Sequence, residues 1–261
     1  MDTLQLVLLS VIQGLTEFLP VSSSAHLVLL SEFLRQEDQG IIFDVGVHFG
    51  TLTAAIVYFR SDIKTMLINL ISEKLSSPAN NLTFNLAVAV FPILIAGFFL
   101  RDSIDLKLRN SEVIAYATIL FGLLLYLAQL NKGKQDVDFL SLPRAFVIGL
   151  FQCLALIPGT SRSGITITAG LFLGLSATAA SRFSFLLAIP TIGAIALVEL
   201  VRFSFLDLSQ NGIELLIAIS ISFLVAYISI DIFLRLIERI GFTPFVIYRL
   251  LLGGWLLLYW T

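Results

Sequence analysis

Apolar residues run through this chain in long stretches, and polar residues interrupt them in few places. A helix that spans a membrane needs about 20 apolar residues. Six stretches have that character: Ile41–Phe59, Phe84–Leu100, Val113–Leu130, Phe183–Val201, Ile213–Leu234 and Phe242–Trp260. Phe84–Leu100 is the shortest and is expected to extend back through Leu82 and Thr83. Two further apolar regions are split. Leu4–Leu19 runs to Pro20, then serines, then the short run Ala25–Leu34. Ala145–Ile157 runs to Pro158-Gly159, then Thr160-Ser161-Arg162-Ser163, then Ile165–Leu175. Each reads as a half-helix, a polar break and a second half-helix. Such a region is too short to cross twice, so each is expected to be a re-entrant hairpin. Broken backbone at membrane depth is tolerated only inside protein or beside a water-filled cavity.

The two halves of the pattern echo each other. Pro20-Val-Ser22-Ser23-Ser24 matches Pro158-Gly-Thr-Ser161-Arg162-Ser163, with Gln13 and Gln152 a few residues upstream. Each break is followed by three spans. Three is odd, so the second copy enters from the opposite face. The expected fold is an all-α integral membrane protein, with six transmembrane helices plus two re-entrant helical hairpins in an inverted-topology repeat. One polytopic domain covers residues 1–261, with repeat one about 1–130 and repeat two about 144–261. In such repeats the site lies where the broken elements meet near the midplane.

Composition agrees with burial in lipid. The 261 residues are 57% hydrophobic and 13% charged, against about 25% charged in soluble domains. A net charge of −2 offers no basic face for nucleic acid. Cys153 is the only cysteine, so neither an intrachain disulfide nor a cysteine metal cluster is available. No basic segment precedes Leu4–Leu9 and no small-x-small site follows, so the N-terminus is expected to be mature sequence. Lys and Arg set the orientation. Arg60, Lys64, Lys74, Lys132, Lys134, Arg144, Arg182, Arg235 and Arg239 fall on one side; Arg35, Arg101, Lys107, Arg109 and Arg202 fall on the other. The positive-inside rule places the first set in the cytoplasm and both termini outside.

The breaks carry the candidate chemistry, because ionisable groups at membrane depth are costly and mark function. Gln13 and Glu17 are one helical turn apart on a shared face. Two oxygen ligands so placed can hold a hard cation such as Mg²⁺ or Ca²⁺, or they can pack the hairpin as a polar pair. Ser22, Ser23 and Ser24, and likewise Thr160, Ser161 and Ser163, precede short helices. Serine favours N-caps, and the same helix ends bind anions. His26 is either a hydrogen-bonded structural residue or a general acid or base. Arg162 suits bidentate phosphate binding, or an ion pair with Glu17 that would itself bring the breaks together. Asp44 and His48, one turn apart, are candidates to line the cavity. Glu199, Asp231 and Arg249 lie nearer segment ends, where snorkelling or mutual pairing is the expectation.

These strings resemble a known family. Gln13-x-x-x-Glu17 followed by Phe-Leu-Pro20-Val-Ser22-Ser23-x-x-His26 resembles the first signature of the undecaprenyl-diphosphate phosphatase family, also called the bacitracin-resistance protein family. Pro158-Gly-Thr-Ser161-Arg162-Ser163-Gly-Ile-Thr166 resembles the second. Further similarity runs through Phe183–Pro190 and Pro244–Arg249, so it covers nearly the whole chain. The resemblance implies a hydrolase of the bacterial cell (inner) membrane, multi-pass, supported by a divalent cation, Mg²⁺ or Ca²⁺. It would remove the terminal phosphate of a polyprenyl diphosphate and return the monophosphate carrier to cell-wall synthesis. The implied catalytic residues are Glu17, His26, Ser23 and Arg162. Substrate binding would fall to Ser22, Ser161, Arg162, Ser163 and Thr166, and the metal to Gln13 and Glu17. Gln13 stands where many members have Glu, which removes one negative charge. The partners implied are the lipid substrate and the membrane, with room for a homodimer.

Two other classes fit the residues. A transporter of inverted-repeat architecture would carry the polyprenyl phosphate. A lipid-binding protein would hold the diphosphate without cleaving it. A hydrolase releases phosphate in detergent; neither alternative does. The orientation reading predicts that reporters fused to the two termini both score outside, with Leu130–Arg144 in the cytoplasm. Reporters on opposite sides would overturn the inverted repeat.

Overall fold

Backbone shielded from water must bond to itself, so helices form where the apolar runs lie. The computed structural model describes residues 3–33, 40–71, 82–108, 110–131, 133–202 and 212–259. The first split region gives α1 (Thr3–Thr16) and α2 (Ser23–Phe33). Then come α3 (Ile41–Tyr58), α4 (Arg60–Ile71), α5 (Leu82–Lys107) and α6 (Ser111–Gln129). The second split region gives α7 (Leu142–Gln152) and α8 (Arg162–Phe172), joined through a tight turn at Cys153–Leu156. The chain closes with α9 (Ala177–Arg202), α10 (Gly212–Ile240) and α11 (Thr243–Tyr259). Arg35, Lys74, Arg109 and Lys132, and the side chains of Arg101, Lys107, Glu199 and Arg202, lie outside the described residues.

Among the described residues, five helices are long and apolar enough to cross a membrane: α3, α5, α6, α9 and α10. The sixth expected span differs. The helix α11 has 17 residues and begins at Thr243 rather than Phe242. The backbone N–H of Phe242 is taken by the Gln129 side chain at 3.0 Å, and its carbonyl accepts from Val246 at 3.0 Å. Phe242 is therefore fixed outside the first turn. The 12-residue helix α4 was not foreseen. It carries Arg60, Asp62 and Lys64 and follows α3 after the single buried residue Phe59, too short and too polar to show as a span.

Packing between the halves is exchanged. Helix α1 packs on α10, the second long helix of the other half, while α7 packs on α5, its counterpart in the first half. Helix α3 packs on α10 as α5 packs on α9, and α6 pairs with α11. The two non-glycine residues with positive φ, among those described, also correspond. Ser22 (φ 74°) directly precedes α2 and Ser161 (φ 70°) directly precedes α8.

The core sits beside the breaks. Phe18, fully buried, meets Phe185 of α9 edge-on at 5.1 Å, and Phe185 meets Phe233 of α10 at 5.4 Å. This stack fixes the residue next to Glu17. Large apolar side chains such as Phe98, Ile213, Leu216 and Leu258 face outward. Such a surface suits lipid and not water.

Helix α7 approaches α5 so closely that a Cβ on Gly149 would lie 2.4 Å from the Ala89 carbonyl oxygen. Ala in a helix gains about 1 kcal/mol over Gly, but overpacking against backbone costs about 1–3 kcal/mol. Gly149→Ala should therefore lower the thermal unfolding midpoint in detergent. Gly254→Ala, with open space around its Cβ, should leave it unchanged or raise it.

Candidate active site

The two breaks meet at Glu17. It lies one turn beyond Gln13, its N–H bonded to the Gln13 carbonyl at 3.0 Å, and it is only 7% exposed. Three side chains donate to its carboxylate. Arg162 Nη2 reaches Oε1 at 3.0 Å, while Gln13 Nε2 and Ser23 Oγ reach Oε2 at 2.9 and 2.7 Å. His48 Nε2 faces the same Oε2 from 3.7 Å. Burying a carboxylate without such partners would be prohibitive.

Arg162 is the first residue of α8, so it stands at a helix N-terminus. Its second nitrogen, Nη1, donates to the Ser184 carbonyl at 3.1 Å, and its Cζ lies 5.9 Å from the Phe18 ring centroid. The guanidinium fork is thus shared between Glu17 and α9. The hydroxyls around it are held in place. Ser161 Oγ caps α8 by accepting from the Gly164 N–H at 3.1 Å. Ser163 Oγ lies 3.2 Å from Ser161 Oγ and donates to the Leu19 carbonyl at 2.9 Å, tying the second break to the first. Thr166 Oγ1 lies 2.7 Å from Ser184 Oγ.

His26 stands apart from this cluster. Its Nδ1 lies 2.7 Å from the Ser22 carbonyl, which can only accept, so Nδ1 carries the proton. Its Nε2 is then the acceptor for the Tyr248 hydroxyl of α11, with the two rings stacked at 5.6 Å. The structure brings Glu17, Gln13, Ser23, Arg162 and His48 together, and it turns His26 toward Tyr248. Ser22 links the two groups through its carbonyl. Ser22 Oγ itself is 3.5 Å from Ser24 Oγ. Asp44 contributes its carbonyl, 2.7 Å from His48 Nδ1.

Arg249 corrects the expectation of a snorkelling end residue. It sits within α11 with 0% exposure, and among the described residues no carboxylate lies within ion-pair distance of it. Its donors reach five carbonyls: Thr118 (Nε, 3.0 Å) and Ala117 (Nη2, 3.5 Å) of α6, Pro20 of the first break (Nη1, 3.2 Å), and Gly159 and Thr160 of the second (each 3.0 Å). A planar fork with five N–H donors suits this role as an ammonium does not. Asp231 does pair, though with Arg235 one turn on at 2.9 Å. Sequence reasoning missed Ser184, Tyr248 and the reach of Arg249. The signal for Arg249 was present, an arginine inside an apolar run, and its distance from the segment's end mattered more than its position in the list of charges.

An ionisable cluster assembled between two broken helices, inside a shell of long apolar helices, defines a membrane-embedded site. Comparison with known proteins narrows the class. The family described as Bacitracin resistance protein BacA matches residues 6–255. Undecaprenyl-diphosphatase 1 of Pseudoalteromonas translucida is 47% identical over 266 aligned residues, covering 100% of both chains. The undecaprenyl-diphosphatase of Hahella chejuensis is 48% identical, covering 99% of this chain and 98% of its own. That of Teredinibacter turnerae is 48% identical, covering 97% of each. The chain is a multi-pass membrane protein and belongs to the bacitracin resistance protein family.

Removing the Arg249 fork would strand carbonyls of both breaks, at about 1–3 kcal/mol for each buried group left unsatisfied. Arg249→Leu should lower the unfolding midpoint in detergent by about 5 °C or more. Arg249→Lys, one point donor group for three segments, should fall between the two. A midpoint unchanged in Arg249→Leu would contradict the bridging role.

Proposed function

We infer that this chain is a membrane-embedded hydrolase that cleaves undecaprenyl diphosphate to undecaprenyl phosphate and inorganic phosphate, returning the lipid carrier to cell-wall synthesis. The observation that carries this is the Arg162–Glu17 contact at 3.0 Å, which, with the Ser23 contact at the start of α2, brings a guanidinium and two helix N-termini to one carboxylate. The names of full-length relatives at 47–48% identity supply the substrate and favour hydrolysis over carriage.

The chemistry follows from charge. A diphosphate ester is highly anionic, and its cleavage is dominated by positioning and charge stabilisation. Arg162 and the N–H groups at the starts of α2 and α8 supply positive potential. Ser22, Ser161, Ser163 and Thr166 supply short-range hydroxyls for the phosphate oxygens. In net terms one water adds to the terminal phosphorus, directly or by way of a phosphoserine at Ser23 that water then cleaves; the anhydride bond breaks, and the lipid monophosphate and inorganic phosphate leave. Ser23 Oγ donates to the Glu17 carboxylate at 2.7 Å, the contact between hydroxyl and base that a serine nucleophile requires. His26 is the second proton carrier of the reading, and it must release Tyr248 to take a proton at Nε2.

The donor set fits a divalent cation. Gln13 Oε1 is buried without a hydrogen-bond partner, an orphan that a cation would satisfy once the amide turns. Gln13, Glu17 and Ser23 are oxygen donors of the kind that hold Mg²⁺ or Ca²⁺. Such an ion, when bound, neutralises phosphate charge and polarises phosphate oxygens.

The same reading places α1–α2 and α7–α8 as re-entrant hairpins of an inverted repeat in the bacterial inner membrane, with both termini outside. The exchanged packing of the two halves and the short lengths of these four helices support it.

Purified protein should release phosphate from polyprenyl diphosphate in detergent, and a chelator should suppress it. Arg162→Lys keeps the charge and loses the fork, so turnover should fall about tenfold or more. Glu17→Gln should be at least as damaging, and Gln13→Glu should be tolerated. Near-wild-type turnover in Glu17→Gln would overturn the role given to the carboxylate. Losses seen only with a matching fall in thermal stability would mark these residues as packing groups.

A further inference from the structure

We propose that His48 is a ligand of the cation at this site, and that its imidazole shifts the site's preference from Mg²⁺ and Ca²⁺ toward a transition cation of the Mn²⁺ kind. The proposal rests on reading the Glu17 cluster as the cation-dependent phosphate site.

The geometry of the ring carries the argument. His48 Nδ1 is 2.7 Å from the Asp44 carbonyl one turn back on α3. A carbonyl only accepts, so Nδ1 bears the hydrogen, and in the neutral ring Nε2 is then the nitrogen with a lone pair to give a cation. This is the arrangement by which proteins orient a metal-binding histidine: one nitrogen fixed by a backbone oxygen, the other free. The free nitrogen faces Glu17 Oε2 across 3.7 Å, too far for a hydrogen bond. An ion bonded to each at about 2 Å would fit between them. The side chain of His48 is 32% exposed, against 6% for that of Glu17.

Two more observations bear on the same point. Gln13, whose amide nitrogen touches Glu17 Oε2, holds a buried oxygen with no partner. Ser23 Oγ touches that same carboxylate oxygen. The Gln13 amide nitrogen, the Ser23 hydroxyl and the His48 imidazole therefore converge on one carboxylate oxygen, and a turn of the Gln13 amide would bring its oxygen there. Three oxygens alone suit a hard ion, whereas an imidazole among them favours first-row transition cations. His26 stands elsewhere: its Nε2 faces the Tyr248 hydroxyl rather than Glu17.

The composition of the chain makes the test direct. It has two histidines, so an imidazole signal has two sources only. The full chain, purified without a polyhistidine tag and placed in lipid nanodiscs, is loaded with Mn²⁺ and measured by pulsed electron paramagnetic resonance. Wild type should show modulation from one imidazole nitrogen. His26→Ala should keep it, and His48→Gln should lose it. Mn²⁺ affinity in His48→Gln should fall about tenfold or more, with Mg²⁺ affinity changed far less. Absence of the nitrogen signal in wild type, its loss in His26→Ala or its survival in His48→Gln each overturns the proposal. An imidazolium merely ion-paired with Glu17 would give no such signal. If His48→Gln fails to fold, wild type and His26→Ala still decide. Phosphate release is measured on the same wild-type sample. Release without a nitrogen signal overturns the ligand and leaves the hydrolase; a nitrogen signal without release under any cation does the reverse.

Discussion

The site depends on broken backbone being satisfied where water is scarce. Each break leaves carbonyls that no helix can use, and in an apolar shell each such group costs free energy. Arg249 meets this need for both breaks at once, through Pro20 on one side and Gly159 and Thr160 on the other, while Thr118 and Ala117 anchor it to α6. Its positive charge is balanced by carbonyl dipoles rather than by a carboxylate. A carboxylate partner would have satisfied the arginine and left the breaks unsatisfied. The absence of an ion-pair partner among the described residues is therefore consistent with its role.

With the breaks held together, the placement of Glu17 and Arg162 follows. Phe18 pins the residue beside Glu17 into the core, and Ser163 bonds across to the Leu19 carbonyl. These contacts leave Arg162 at the start of α8 facing a carboxylate 145 residues away in sequence. Arg162 is paired with Glu17, whereas among the described residues Arg249 has no carboxylate within ion-pair distance. An anion entering this region meets a surplus of positive charge and two helix N-termini, and a lipid diphosphate is an anion that arrives from the bilayer.

Much of this was legible in the sequence, because its signals are local. The apolar runs gave the long helices, and the polar breaks stood out against them. Gln13 and Glu17 share a face because they are four apart, whatever the fold. Serine before a short helix announced the cap that Ser161 supplies. What stayed hidden depends on distance in sequence. Nothing near Arg249 shows that its partners lie in α6 and both breaks. Nothing near His26 announces Tyr248, 222 residues on. His48 was visible as a polar residue one turn from Asp44, but its meeting with Glu17 is made by helix packing. Helix α4 was hidden for another reason: it is short and polar, and the contrast that reveals spans does not reveal it.

The division of labour between the halves explains why the matching strings are not identical. Ser22 and Ser161 share an unusual backbone conformation at the same point in each hairpin, so the turn is what the two copies have in common. The next residue differs: Ser23 in one half, Arg162 in the other. Both side chains reach the same carboxylate, one through each oxygen. Had both been arginine, two cations would have competed for a single buried anion. Had both been serine, the carboxylate would have been buried with no guanidinium to offset it. One hydroxyl and one guanidinium satisfy Glu17 and still leave the cluster attractive to phosphate. The backbone of a repeated turn can therefore persist in both halves while the residue after it diverges, because only an asymmetric pair solves the electrostatics of the centre they share.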